Sequence, residues 1–128
     1  MDGRVLMIVR GKEPGKGLLS LPGGFIDPDE RAEDAAVREC REEAGVEVTC
    51  LSFVGSWPND YEYRDVLYKT CDLYFAARAA ELPRPDAGAS GEVAGISFID
   101  PDEIESAPIA FESARRALLA WRLRAKGR

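Results

Sequence analysis

Histidine is absent from all 128 residues. That absence excludes Ser-His-Asp and Cys-His nucleophilic machinery, His-ligated zinc and His-based proton transfer. Acid-base or metal chemistry must therefore run on carboxylates, lysine, tyrosine or thiols. Cysteine is scarce: Cys40, Cys50 and Cys71 are far apart, odd in number and form no CxxC pair. Sitting among apolar residues, they read as packed free thiols of a reducing compartment. No apolar run approaches the roughly 18 residues of a membrane span, and the N-terminus lacks the basic-then-apolar layout of a signal peptide. A soluble cytoplasmic protein is expected. Basic charge is also short, with 17 Lys and Arg against 23 Asp and Glu, a net charge of −6 and a pI near 4.8. Such a chain lacks the basic face that nucleic acid or an anionic membrane surface requires, so neither is expected as a partner. To handle a polyanionic substrate it needs a local device that reverses the field, and a divalent cation is one.

What is present suffices for one ordinary core: 45% hydrophobic residues over a length that fits a single domain, residues 1–128. Arg4 to Arg10 (RVLMIVR) reads as a buried strand, Gly11 to Gly17 as a loop, and Leu18 to Leu21 as a short extended piece before Pro22-Gly23-Gly24. Asp29 is placed to cap a helix from about Arg31 to Ala44, with Ala32, Ala35, Ala36, Cys40 and Ala44 on one stripe and Gly45 as its left-handed stop. Val46 to Trp57 reads as a strand, Pro58-Asn59-Asp60 as a turn, and Val66 to Ala77 as a second long strand. Glu81 to Gly91 reads as a loop, Ile96 to Ile99 as a short strand, Pro101 to Glu105 as a turn or short helix, and Glu112 to Lys126 as an amphipathic helix. Helices interleaved with strands of mixed character point to an α/β or α+β layered fold.

Glu39, Glu42 and Glu43 stand at i, i+3 and i+4, which sets three carboxylates on one helix face within a turn. Glu39 and Glu43 are an unfavourable like-charge pair, and all three sit near the C-terminal end, where the macrodipole disfavours anions. A bound cation removes that cost. Clustered carboxylate oxygens suit a hard divalent ion, Mg²⁺ first and Mn²⁺ as the alternative. On spacing alone the competing account is a solvated face, with Arg38 and Arg41 softening the repulsion.

The wider stretch LPGGFIDPDERAEDAAVRECREEAGV resembles the signature box of the Nudix hydrolases. Gly24, Glu30, Arg38, Glu39, Glu42, Glu43, Gly45 and Val46 fall in register, and Cys40 alone departs, at an aliphatic position where a thiol packs as a small hydrophobe. With ordinary composition this coincidence arises on the order of once in a billion start positions. The resemblance implies a Nudix-type α/β/α sandwich with a mixed β-sheet. It implies Glu39, Glu42 and Glu43 as metal ligands, the Gly24 carbonyl as a further one, and Glu30 with Arg38 as an ion pair bracing the loop against the helix. Glu92, six positions before the aromatic Phe98, resembles the acidic residue of a later strand and is the candidate additional ligand or general base. Glu39, Glu42, Glu43 and Glu92 are thus the expected catalytic set.

The implied reaction is metal-dependent hydrolysis of the diphosphate bridge in a nucleoside diphosphate joined to another group, a nucleotide-derived small molecule. PNDYEY and the TCDLYF strand look similar to the branch near NADH and nucleotide-sugar pyrophosphatases. The alternative is a nucleoside triphosphate pyrophosphohydrolase that clears damaged nucleotides. A non-enzymatic ligand-sensing module is the remote one, since it expects a degraded box. Trp57, Tyr61, Tyr63 and Tyr68 offer faces for a nucleobase, with Trp57 and Tyr61 the better placed. Arg64, Lys69, Lys12 and Lys16 are candidate phosphate contacts. One departure from the family concerns the sheet. The strand that normally precedes the one at Arg4 to Arg10 is lacking, so either residue 1 is internal to a longer product or another chain completes the sheet. A partly exposed strand edge, and a homodimer formed on it, are the corresponding expectations.

Overall fold

The run of β-branched and apolar residues near the N-terminus forms strand β1 (Val5–Arg10), which lies at the centre of a three-stranded sheet. On one side it pairs antiparallel with the short β2 (Leu19–Ser20), and on the other with β5 (Val93–Ile99). In this computed structural model residues 3–79 and 91–127 are described. The expected loop from Glu81 to Gly91 lies outside them except for Gly91, which is in a turn. Helix α1 (Ala32–Ala44) follows the glycine-rich loop, and β3 (Val48–Tyr63) with β4 (Val66–Ala79) forms a long two-stranded antiparallel ribbon. A 3₁₀ turn (Pro101–Glu103) and helix α2 (Glu112–Lys126) complete the chain. No helix among the described residues is long and apolar enough to cross a membrane.

The core sits where β1, β2 and β5 meet α2. Met7, Leu19, Ile99, Ile104, Ala107 and Leu118 are buried together, with Val9, Ile109 and Trp121 packed against them. Arg115 of α2 donates to the carbonyls of Ile104 (2.5 Å), Glu105 (3.1 Å) and Ala107 (3.0 Å), so the segment bearing Ile104 has its polar groups satisfied from the helix. Ile104 is fully enclosed, and truncating it leaves a void that this tied segment cannot collapse to fill. Ile104→Ala is expected to lose about 2–5 kcal/mol of stability, read from denaturant unfolding.

Three expectations need correction. Pro58-Asn59-Asp60 is not a turn. β3 runs through it, pairing Pro58 with Cys71 and Asp60 with Lys69, and the reversal comes at Arg64 and Asp65, both with positive φ (50° and 64°). Positive φ at both central residues is the geometry of a two-residue type I′ hairpin turn. A ribbon strand with one free edge can hold a proline whose missing N–H falls on that edge. Asp29 does not cap α1. It takes a left-handed φ of 65°, and the helix starts at Ala32 with no side-chain cap. The cysteines are free, but only Cys40 is packed, and Cys50 and Cys71 are exposed.

The stop at Gly45 is as read from the sequence. With φ at 66° its N–H donates to the Arg41 carbonyl, while the Val46 N–H reaches that of Cys40. The outer edge of β2 is closed by the segment before α2, through Leu19 N–H to Pro108 O (2.9 Å) and Ala110 N–H to Leu19 O (2.8 Å). β5 pairs only with β1 among the described residues.

Candidate active site

Alanine-rich α1 carries the acidic cluster, and the loop before it folds back onto the helix. Arg38 is the pin. Its Nε and Nη2 donate to the two carboxylate oxygens of Glu30 at 2.9 and 3.0 Å, the forked geometry only a guanidinium supplies. Glu30 in turn accepts from the Asp27 N–H at 3.0 Å, which fixes the loop locally. The remaining donors of Arg38 reach Glu39 (2.8 Å), Glu42 (3.2 Å) and the Phe25 carbonyl (3.3 Å). Contact with Arg38 holds the Glu30 carboxyl below its ordinary range. The expected brace between Glu30 and Arg38 is present, and it extends into the cluster itself.

Glu39 and Glu43 face the glycine turn. The Gly23 N–H donates to Glu43 at 3.1 Å. A Cβ at residue 24 would stand 2.7 Å from a Glu39 carboxylate oxygen, so any larger residue there displaces the Glu39 carboxylate from its present place against the turn. Glu39 and Glu43 share a hydrogen bond, and burial, the principal cause, pushes the Glu43 carboxyl up to about 8. Burial disfavours the charged form of a carboxyl, and a second carboxylate beside it adds to that effect. Burial, with the charges of Glu43 and Glu39, likewise raises the Cys40 thiol to about 11, away from the thiolate form that nucleophilic attack needs.

Glu42 is attached more loosely, its side chain 57% exposed and bound through Arg38. Glu92 lies beyond the helix in an ion pair with Lys12 at 2.9 Å, close enough for its charge to be felt at Glu43. The structure thus brings together Gly24, Glu39 and Glu43, holds Glu42 at their margin and sets Glu92 opposite. Among the described residues no three acidic or thiol groups converge into a formed metal centre, and the Arg38 guanidinium stands between carboxylates instead. The donor set nevertheless suits a hard divalent cation: two adjoining carboxylates, Glu42 at their margin, and side-chain-free backbone at Gly23 and Gly24.

The substrate candidates separate. Trp57 packs over Gly55 and beside Tyr74, centroids 6.1 Å apart, and makes no ring contact with the loop before α1. Tyr61 lies 5.9 Å from Phe25. Arg64 sits at the hairpin tip over Tyr63. Sequence reasoning missed Phe25 and Phe111, whose signal was slight: Phe25 directly follows the glycine pair, and Phe111 precedes α2.

The sequence profile of the NUDIX domain matches residues 1–122. An ADP-ribose pyrophosphatase of Methanocaldococcus jannaschii is 43% identical over 54 residues, 42% of this chain and 32% of that one. An NAD-capped RNA hydrolase NudC of Pseudomonas putida is 45% identical over 58 residues, 44% of this chain and 21% of that one. These matches span a third or less of the relatives' own length. The crystal structure of a MutT NUDIX hydrolase from Burkholderia pseudomallei superposes with a TM-score of 0.77 at 25% identity, covering 94% of this chain and 89% of that one. With the glycine turn, the braced Glu30 and Arg38, and the glutamates of α1 in one register, the chain belongs to the Nudix family.

Proposed function

We propose that this chain is a divalent-metal-dependent hydrolase that cleaves the diphosphate bridge of a nucleoside diphosphate joined to a second group, a sugar or another nucleotide. The observation that carries this reading is the Glu39 and Glu43 pair held against the bare backbone of Gly23 and Gly24. Glu39, Glu42, Glu43 and the Gly24 carbonyl would hold Mg²⁺ or Mn²⁺, with Glu92 as a further ligand or the base. When bound, the metal supplies positive charge against the negative charge that grows on the phosphate oxygens.

The residues themselves supply position and proton transfer. Gly23 and Gly24 admit the diphosphate close to the backbone. Arg38 keeps the loop and the carboxylates in one arrangement. Glu92 is the better candidate for orienting and deprotonating water, because its ion pair with Lys12 is on the surface and exchangeable. Glu39 is committed to Arg38 and Glu43. Attack of that water on phosphorus breaks the bond to the bridging oxygen, giving a nucleoside monophosphate and a phosphorylated remainder.

The test is a panel of nucleoside diphosphate sugars, dinucleotides and nucleoside triphosphates with Mg²⁺, with Glu42→Gln alongside. Release of a nucleoside monophosphate and a phosphorylated remainder is expected, with the variant reduced about 10²-fold or more. Pyrophosphate release from triphosphates alone would move the assignment to a triphosphate pyrophosphohydrolase. Folded protein that turns over none of the panel with Mg²⁺ or Mn²⁺ would refute both.

A further inference from the structure

The bracing of the box leaves Phe25 unexplained. It keeps 62% of its surface exposed, beside Ile26 at 47% and Tyr68 at 42%. A single exposed apolar residue is ordinary, but a patch of two aromatic rings and an isoleucine beside a candidate site is not. The Phe25 ring stands at 88° to that of Tyr61, centroids 5.9 Å apart, and at 64° to that of Tyr68, 6.3 Å away. Tyr61 and Tyr68 are direct cross-strand partners in the β3–β4 register and so share one sheet face. These rings make a corner with nearly perpendicular walls. A flat heterocycle laid on one wall presents its edge to the other, the combination of stacked and edge-to-face contact that aromatic quadrupoles favour.

Two chains of contacts fix this corner beside the carboxylates. Arg38 holds the Phe25 carbonyl with the same guanidinium that binds Glu30, Glu39 and Glu42. On the other side Tyr61 stacks with Tyr63 at 6.4 Å, and Lys12, 5.7 Å from the Tyr63 ring, is bound to Glu92. The Arg64 guanidinium lies over Tyr63 as well, at 5.1 Å. In a chain of net charge −6, Arg64 places positive charge at the rim where phosphate would leave an aromatic platform, while the charge of Lys12 is offset by Glu92.

We infer that Phe25, Tyr61 and Tyr68 form a base-stacking corner, so that the substrate is read through the π-face of its nucleobase, with its diphosphate running on toward Gly23 and Gly24. This rests on the proposed function and replaces Trp57 as the stacking residue, since the ring contact of Trp57 is with Tyr74 and not with Phe25 beside the carboxylates. Every base has a π-face, so stacking of this kind accepts purines and pyrimidines alike. Selection falls on the presence of a base rather than on its hydrogen-bonding edge.

Calorimetric binding of AMP and of ribose 5-phosphate to wild type, Phe25→Ala and Tyr68→Leu separates the base from the rest of the ligand. Both side chains are exposed enough for the variants to fold, which a melting curve checks. Wild type is expected to bind AMP more tightly than ribose 5-phosphate, and each variant to lose about 5- to 150-fold in AMP affinity with ribose 5-phosphate unchanged. KM for the hydrolysed nucleotide rises correspondingly. Unchanged AMP affinity in both variants, or a wild type that prefers AMP no more than ribose 5-phosphate, overturns the corner even if hydrolysis is found. Ring-dependent AMP binding without hydrolysis leaves the corner standing and defeats the proposed activity.

Discussion

Glu43→Gln is expected to lower kcat by about 10²- to 10⁴-fold while making the protein more resistant to heat above neutral pH. Glutamine keeps the shape of the site, its carbonyl oxygen accepting the Gly23 N–H and its amide donating to Glu39. It removes the charge that the cluster tolerates poorly. In the folded protein the Glu43 carboxyl is raised from 4.5 to about 8, first by burial and then by its bond to Glu39. A raised carboxyl contributes stability below its unfolded value and loses it as pH climbs through the folded value. The protein free of metal should therefore melt at progressively lower temperature between about pH 4.5 and 8. Glu39 and Glu92 are the anions acting on this group, and the Gly23 N–H opposes them. Glu30 is shifted downward by Arg38 and titrates below that window, so it does not cancel the slope. Melting curves across this range should show the variant flat where the wild type declines. Parallel curves, or full activity in the variant, would count against a strained carboxylate at the centre of the site.

Much of the site could be read in the sequence because it is local. Glu30, Arg38, Glu39, Glu42 and Glu43 lie within 14 consecutive residues, and helical periodicity alone decides which of them share a face. The Gly45 stop and the extent of α2 were readable for the same reason. The aromatic corner was not, since it exists only through the Tyr61–Tyr68 register and a loop folded back onto the ribbon. That register depends in turn on where the hairpin reverses. Pro58-Asn59-Asp60 carries the composition of a turn, whereas Arg64-Asp65 lacks the glycine that usually marks positive φ. A reversal at Pro58 would have changed every cross-strand partner of Tyr61. The Lys12–Glu92 ion pair was invisible for a similar reason, because 80 residues separate the two. Glu92 was readable as a candidate but its partner was not.

The second large effect concerns Arg38, where a conservative change is expected to fail. The guanidinium makes the paired contact to Glu30 and at the same time reaches Glu39, Glu42 and the Phe25 carbonyl. Those contacts need a planar fork with donors on both sides, and a lysine ammonium is a single compact charge on a flexible stem. Arg38→Lys preserves the charge but satisfies only part of the set, so either Glu30 keeps only the Asp27 N–H or the helix carboxylates lose their cationic partner. Glu30 and Glu39 are mostly buried, with side chains 16% and 14% exposed, so water compensates poorly. The loop carrying Gly23 to Phe25 then loses its register against α1, and both the carboxylate pair and the aromatic corner shift relative to each other. Activity should fall about 10- to 100-fold in Arg38→Lys and at least as far in Arg38→Ala. AMP binding should weaken in both variants, because Phe25 is anchored through the same side chain. A lysine variant that matches wild type in both measurements would show that charge alone is required there, and that the fork seen in the structure has no part in positioning the site.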